Sequence, residues 1–167
     1  PVINNGTIDL TESTSSNGKF IAGSITSNNS ITFGTSGGGK ITCSGSFASS
    51  NGTFTKGTST MEVAGATSNI NLPLAKGGFY NLTVSGTVSA ASSLQIDNNI
   101  YVNASCGFNL GTVLTTTVAG NIAISGTLNI NNSILVSNGN LTVKNGGALQ
   151  VYGSNNSGEM GQLKVAN

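Results

Sequence analysis

The chain contains no histidine, no tryptophan and no arginine, and its 167 residues include only five carboxylates and six lysines. Charged residues make up 7% of it, against about a quarter in an ordinary globular domain. Each absence removes a class of chemistry. Without histidine there is no imidazole base, no common zinc ligand and no histidine-activated serine or cysteine. Without arginine, and with a formal charge of +1, there is no field to gather nucleic acid or an anionic membrane surface. No apolar run exceeds three or four residues, too short for a membrane-spanning helix or a secretory leader core. The chain starts at Pro1 rather than Met, which fits a processed secreted protein or a fragment.

What is present is glycine, serine, threonine and asparagine, which together fill over half the chain. These residues disfavour helix interiors, and no long window carries apolar residues at helical spacing. Disorder is also disfavoured, because 37% of the residues are apolar and they alternate regularly with polar ones. The composition predicts an all-β protein.

Its strand signals are triplets of apolar, any, apolar residues between Gly, Asn and Ser clusters. One series starts at Phe20, Ile41, Met61, Leu82, Ile100, Ile122, Leu141 and Leu163, with steps of 21, 20, 21, 18, 22, 19 and 22 residues. A looser series between them includes Ile31-Thr32-Phe33, Thr53-Phe54-Thr55, Ile70-Asn71-Leu72, Leu94-Gln95-Ile96, Leu128-Asn129-Ile130 and Leu149-Gln150-Val151, with an ill-defined member near Thr112 to Leu114. Two series at one period predict a β-solenoid, a parallel β-helix or β-arch stack of about eight coils with a period near 20 residues. The first and third residues of each triplet, from Phe20 and Ala22 to Leu163 and Val165, would point inward. The competing reading is an antiparallel β-sandwich. Residues 1–167 read as a single β domain, with a less regular N-terminal part at 1–77, rich in phenylalanine, and a regular solenoid part at 78–167.

Few residues offer chemistry. Gly34 to Lys40 matches the start of a phosphate-binding loop, but Ile41 replaces the magnesium-binding hydroxyl and a strand follows instead of a helix, so it reads as a turn. Stacking would bring together residues one period apart, yet no two of Asp9, Glu12, Glu62, Asp97 and Glu159 have that spacing, so no catalytic carboxylate pair is expected. The expectation is no enzyme, no metal and no cofactor. Cys43 and Cys106 lie three coils apart, about 14 Å, too far for an internal disulfide. They read as a buried thiol at Cys43 or as partners for an intermolecular bond. Eight sequons, at Asn5, Asn28, Asn51, Asn81, Asn103, Asn131, Asn140 and Asn155, permit N-glycosylation in a secreted chain, although this composition produces nearly as many by chance. Outward threonines do not form the regular array of an ice-binding face.

No capping repeat is visible beyond Ile8 and Leu10 at one end or Leu163 and Val165 at the other. For a complete chain these would be candidate assembly ends; for a fragment they carry nothing.

Segments such as Gly78-Phe79-Tyr80-Asn81-Leu82-Thr83-Val84-Ser85-Gly86-Thr87-Val88 and Gly120-Asn121-Ile122-Ala123-Ile124-Ser125-Gly126-Thr127-Leu128-Asn129-Ile130 resemble the repeats of secreted β-helical surface proteins and adhesins. The composition is also similar to that of amyloid-like subunits of archaeal cell sheaths and other extracellular filaments. That resemblance implies a structural envelope protein whose copies pair strands, with disulfides reinforcing the assembly. The functional expectation is an extracellular self-assembling protein that partners with itself, forming a filament, sheath or surface layer. The alternative is an adhesin or stalk segment that contacts glycans or cell-envelope components near Tyr80, Tyr101 and Tyr152.

Overall fold

The computed structural model describes residues 2–4, 8–10, 19–33, 39–49, 51–153 and 161–165. The chain winds as a β-solenoid with three strand positions per turn. The first turn holds β1 (Val2–Asn4), β2 (Ile8–Leu10) and β3 (Lys19–Ala22). The second holds β4 (Ile25–Ser27), β5 (Ile31–Phe33) and β6 (Lys40–Cys43), and the third β7 (Phe47–Ser49), β8 (Phe54–Thr55) and β9 (Thr60–Val63). The fourth contains β10 (Ser68–Asn71), a short 3-10 helix (Leu74–Lys76) and β11 (Asn81–Val84). The fifth holds β12 (Thr87–Ala90), β13 (Leu94–Ile96) and β14 (Ile100–Val102), and the sixth β15 (Gly107–Asn109), β16 (Thr115–Val118) and β17 (Ile122–Ile124). The seventh holds β18 (Thr127–Asn131), β19 (Ile134–Ser137) and β20 (Leu141–Val143), and β21 (Ala148–Tyr152) with β22 (Gln162–Val165) begins an eighth. Among the described residues seven strands stack on the third face, slightly fewer than the eight coils expected.

The first face is the eight-stranded sheet β1-β4-β7-β10-β12-β15-β18-β21, and the third is the seven-stranded sheet β3-β6-β9-β11-β14-β17-β20. The second face consists of β2-β5-β8 and β13-β16-β19-β22, interrupted at the 3-10 helix. All pairing among the described strands is parallel, which corrects the antiparallel alternative. The stride between paired strands varies from 18 residues, Leu82 to Ile100, to 28, Ile134 to Gln162.

Strand formation on the third face follows from its triplets. Ile41, Cys43, Met61, Val63, Leu82, Val84, Ile100, Val102, Ile122 and Ile124 are all buried, while their intervening residues face outward, as period-two alternation requires. With the triplets of Phe20 in β3 and Leu141 in β20, this face takes seven of the eight triplets in the first series. The eighth, Leu163-Lys164-Val165, belongs to the second face instead, where β22 pairs with β19. The looser series mixes two faces: Ile31, Phe54 and Leu94 are on the second face, whereas Ile70, Leu128 and Leu149 are on the first. Its ill-defined member is β16, which starts at Thr115. First-face strands escape an apolar-any-apolar pattern because buried Ser27 and Ser49 occupy inward positions.

The irregular N-terminal part is packed by aromatic rings. Phe47, Phe54 and Phe79 meet edge to face, with centroids 5.5 to 5.8 Å apart, a favoured geometry for ring quadrupoles. The first and third faces continue without a break across residues 74–78, and the interruption of the second face is bridged from both sides. Lys76 Nζ donates to the Gly52 carbonyl and Lys56 Nζ to the Gly77 carbonyl, while Phe79 pairs with Ile96.

Asparagine organises the corner before the third face. Asn81, Asn99, Asn121 and Asn140 each precede a Leu or Ile that begins a triplet. The Oδ1 of Asn81 accepts the Asn99 amide at 3.2 Å, Asn99 accepts that of Asn121 at 2.8 Å, and Asn121 accepts that of Asn140 at 3.0 Å. Side chains thus satisfy backbone donors that bend out of the sheets.

Another corner is strained. Val113 has φ 58° and is 70% exposed, although a β-branched residue is disfavoured in the left-handed region. Val113→Asn is expected to raise the unfolding free energy by about 1 kcal/mol, measured by urea denaturation; an unchanged or lower value would show that the corner is not strained.

Candidate functional site

The last described turn carries a group of exposed apolar side chains. Strands β20, β21 and β22 pair on one side only, with β17, β18 and β19. Side chains of the inward columns are exposed there. Val143 is 43% exposed above fully buried Ile124, Val151 is 47% exposed above Ile130, and Leu163 is 37% exposed above Leu135. Val165, above buried Ser137, joins them, and Leu141 and Leu149 are only partly covered; Tyr152, also exposed, stands above partly exposed Asn131 on the outward phase. Ile124, Ile130 and Leu135 one turn earlier are core, so the exposure above them follows from the lack of a further paired strand among the described residues and not from a polar sequence. A strand edge with unpaired backbone groups and apolar columns is a template for another strand.

At the opposite end β1, β2 and β3 are also paired on one side only. Ile8 and Leu10 lie in register with Ile31 and Phe33. Val2 and Phe20 pack partly buried against the core.

The cysteines lie on different turns and different faces. Cys43 is buried at the end of β6; Cys106 is partly buried at a corner, just before β15. Burial pushes the Cys43 thiol up to about 11, partly offset by a backbone hydrogen bond at Ile25. Since the thiolate is the nucleophile, brief iodoacetamide treatment of the native protein at pH 8 is expected to label Cys106 and spare Cys43, with both labelled after denaturation. Equal native labelling, read by peptide mass spectrometry, would contradict the burial of Cys43.

Two carboxylates, Glu62 and Asp97, are matched with lysines. Glu62 Oε2 lies 2.9 Å from Lys40 Nζ and accepts from Thr42 at 2.9 Å, while its Oε1 accepts from Ser85 at 2.7 Å. Burial alone would raise the Glu62 carboxyl, but the hydrogen bonds from Lys40, Ser85 and Thr42 and the lysine charge outweigh it and hold it below its ordinary value. Asp97 pairs with Lys56 and accepts from Gln95 at 2.8 Å. Among the described residues no three His, Cys, Asp or Glu side chains gather as a metal site, and no helix is long and apolar enough to cross a membrane. Glu12, Glu159 and most of the Gly34 to Lys40 turn lie outside the described residues; Lys40 opens β6.

The sequons differ in access. Asn28, Asn51, Asn103 and Asn140 are exposed, Asn81 and Asn131 partly buried, and Asn5 and Asn155 lie outside the described residues. Asn81 belongs to the corner ladder, and Asn103 Nδ2 donates to Ser85 at 2.8 Å. The tyrosines are not gathered. Tyr101 is at the centre of β14 on the third face, Tyr80 precedes β11, and Tyr152 ends β21 on the first face. The outward column of the third face reads Ile21, Thr42, Glu62, Thr83, Tyr101, Ala123, Thr142, a mixed series without a repeated ligand-binding group.

Sequence reading named Leu163 and Val165 at this end but missed Val143 and Val151 as exposed groups, and missed the asparagine ladder. The ladder had a signal: Asn immediately before Leu or Ile at successive coils. No family model, no curated protein and no solved structure matches the chain.

Proposed function

We propose that the protein is a non-catalytic structural protein of the cell exterior, whose copies join through strand edges into a filament, sheath or surface layer. The observation that carries this reading is the stack itself: parallel strands run unbroken along the first and third faces, each turn buries its apolar side chains against the next, and strand edges of this kind template further strands. Covering apolar side chains removes their area from water, at about 25 cal/mol per Å². The near-zero net charge of +1 leaves little repulsion between copies.

The test is sedimentation and electron microscopy of residues 1–167 from micromolar to millimolar concentration, with and without reductant. Concentration-dependent ordered filaments are expected. Loosening on reduction would assign Cys106 to bonds between chains. A monomer across the whole range, with affinity for glycans, would overturn the proposal in favour of a binding module.

A further inference from the structure

The sequence holds five Asn-Gly pairs, beginning at Asn5, Asn17, Asn51, Asn138 and Asn145. A glycine after asparagine leaves its backbone nitrogen unshielded, because no Cβ stands beside it. The pairs at Asn5 and Asn17 lie outside the described residues. The other three sit in different surroundings.

Asn51-Gly52 and Asn138-Gly139 lie against the turn beneath. A Cβ at Gly52 would lie 2.3 Å from the Asn29 carbonyl carbon, and the Gly52 carbonyl accepts from Lys76 Nζ. A Cβ at Gly139 would lie 2.4 Å from the Gly120 carbonyl oxygen. The Asn138 amide donates to the Val118 carbonyl at 2.9 Å, and the Gly139 carbonyl accepts from Ser137 Oγ at 3.1 Å.

Asn145-Gly146 overhangs instead. Four residues, Lys144 to Gly147, join β20 to β21, whereas Ser125 and Gly126 alone join β17 to β18 in the turn beneath. Both ends of the longer corner rest on the shorter one: the Lys144 amide donates to the Ile124 carbonyl and the Ala148 amide to the Gly126 carbonyl, each at 2.8 Å. The two surplus residues turn outward. The Gly147 amide closes back on the Lys144 carbonyl at 2.8 Å and Gly146 has φ 81°, the form of a type II turn. Asn145 and Gly146 are exposed, and a Cβ at Gly146 would meet nothing within 4 Å. Among the described residues no hydrogen bond holds the Gly146 amide or the Asn145 side chain. The overhang follows from the length of the corner and not from the place of this turn in the stack.

We propose that Asn145 is a site of spontaneous modification, deamidating by attack of the Gly146 backbone nitrogen on its side-chain carbonyl carbon. The nitrogen gives its proton to solvent base and bonds to Cγ; the Cγ–Nδ2 bond breaks and ammonia leaves, closing a succinimide ring. Water then opens either carbonyl of that ring. One opening gives aspartate; the other gives isoaspartate, whose main chain runs through the side-chain carbon and is one methylene longer. Either product adds one negative charge and takes the formal charge from +1 to 0. Because the bonds to Ile124 and Gly126 flank the turn, the change is confined to the overhang, and β20 and β21 keep their pairing.

The test is a time course of native residues 1–167 in neutral and mildly alkaline buffer made with heavy-oxygen water, which marks the oxygen added at ring opening, read by peptide mass spectrometry. Asn145 is expected to convert at least about tenfold faster than Asn51 or Asn138, the factor that one retained hydrogen bond of about 1.4 kcal/mol imposes on ring closure. Its rate should rise with pH, since the attacking nitrogen must lose a proton. In the chain unfolded by denaturant the three pairs are expected to convert at similar rates. An Asn145 that stays intact, native rates that are equal at the three positions, or conversion led by Asn51 or Asn138 would overturn the assignment. The same lead for Asn145 in the unfolded chain would trace it to local sequence and overturn the overhang as its cause.

Discussion

Replacing Phe79 with alanine is expected to lower the unfolding free energy by about 3–5 kcal/mol, the range for truncating a buried aromatic ring. Phe79 is 1% exposed, and its ring centroid lies 5.6 Å from that of Phe47 and 5.5 Å from that of Phe54. Its position makes the loss larger than packing area alone suggests. It stands where the second face has a 3-10 helix in place of a strand, so fewer ladder hydrogen bonds join the turns there. Its amide donates to the Gln95 carbonyl at 2.9 Å, and its own carbonyl accepts from Asp97 at 2.9 Å. Solenoids are stabilised by nearest-neighbour interfaces, so weakening this one should also separate the unfolding of the two parts of the stack. Guanidinium denaturation followed by circular dichroism checks both effects. A loss below about 1 kcal/mol with a single sharp transition would show that the rings do not hold the interruption together.

Gly86→Val is expected to cost more than about 3 kcal/mol, at or beyond the upper end for overpacking. Gly86 occupies the corner between β11 and β12, and a Cβ there would lie 2.1 Å from the Gly65 carbonyl oxygen. That oxygen cannot retreat freely, because it accepts the Thr87 amide at 3.0 Å. Gly65 and Gly126 repeat the close backbone approach at other turns, with Cβ positions 2.5 Å from the Ser44 carbonyl oxygen and 2.2 Å from that of Cys106. Gly107 supplies the control. Its Cβ position meets nothing within 4 Å, since the preceding corner, Asn103 to Cys106, is longer than Ser85-Gly86. Gly107→Ala should change stability by less than about 0.5 kcal/mol. Equal effects at Gly86 and Gly107 would contradict close backbone approach as the reason for the corner glycines.

How much of this was legible in the sequence depends on which face is considered. On the third face every inward position from Ile41 to Ile124 is apolar except the thiol of Cys43, so period and register could be read directly. On the first face Ser27, Ser49 and Ala90 take inward positions, and small or hydroxylated residues there erase the apolar-any-apolar signal. The second face is broken by Leu74–Lys76, which removed one member of its series and let two faces merge into one apparent sequence pattern. Leu163-Lys164-Val165 fell on the period of the third face while belonging to the second because β22 follows its partner β19 by a longer stride, 28 residues from Leu135 to Leu163.

The candidate site was legible only as a pair of ends. Nothing in a triplet distinguishes Val143 or Val151 from the equivalent residues one turn earlier; their exposure is a property of the stack, set by the absence of a neighbour among the described strands.

Cryo-electron microscopy of the assembled protein tests the central claim most directly. Polymerisation along the stacking axis predicts strands perpendicular to the filament axis at a spacing of about 4.8 Å. Strands running along the filament, or a subunit repeat unrelated to that spacing, would contradict it.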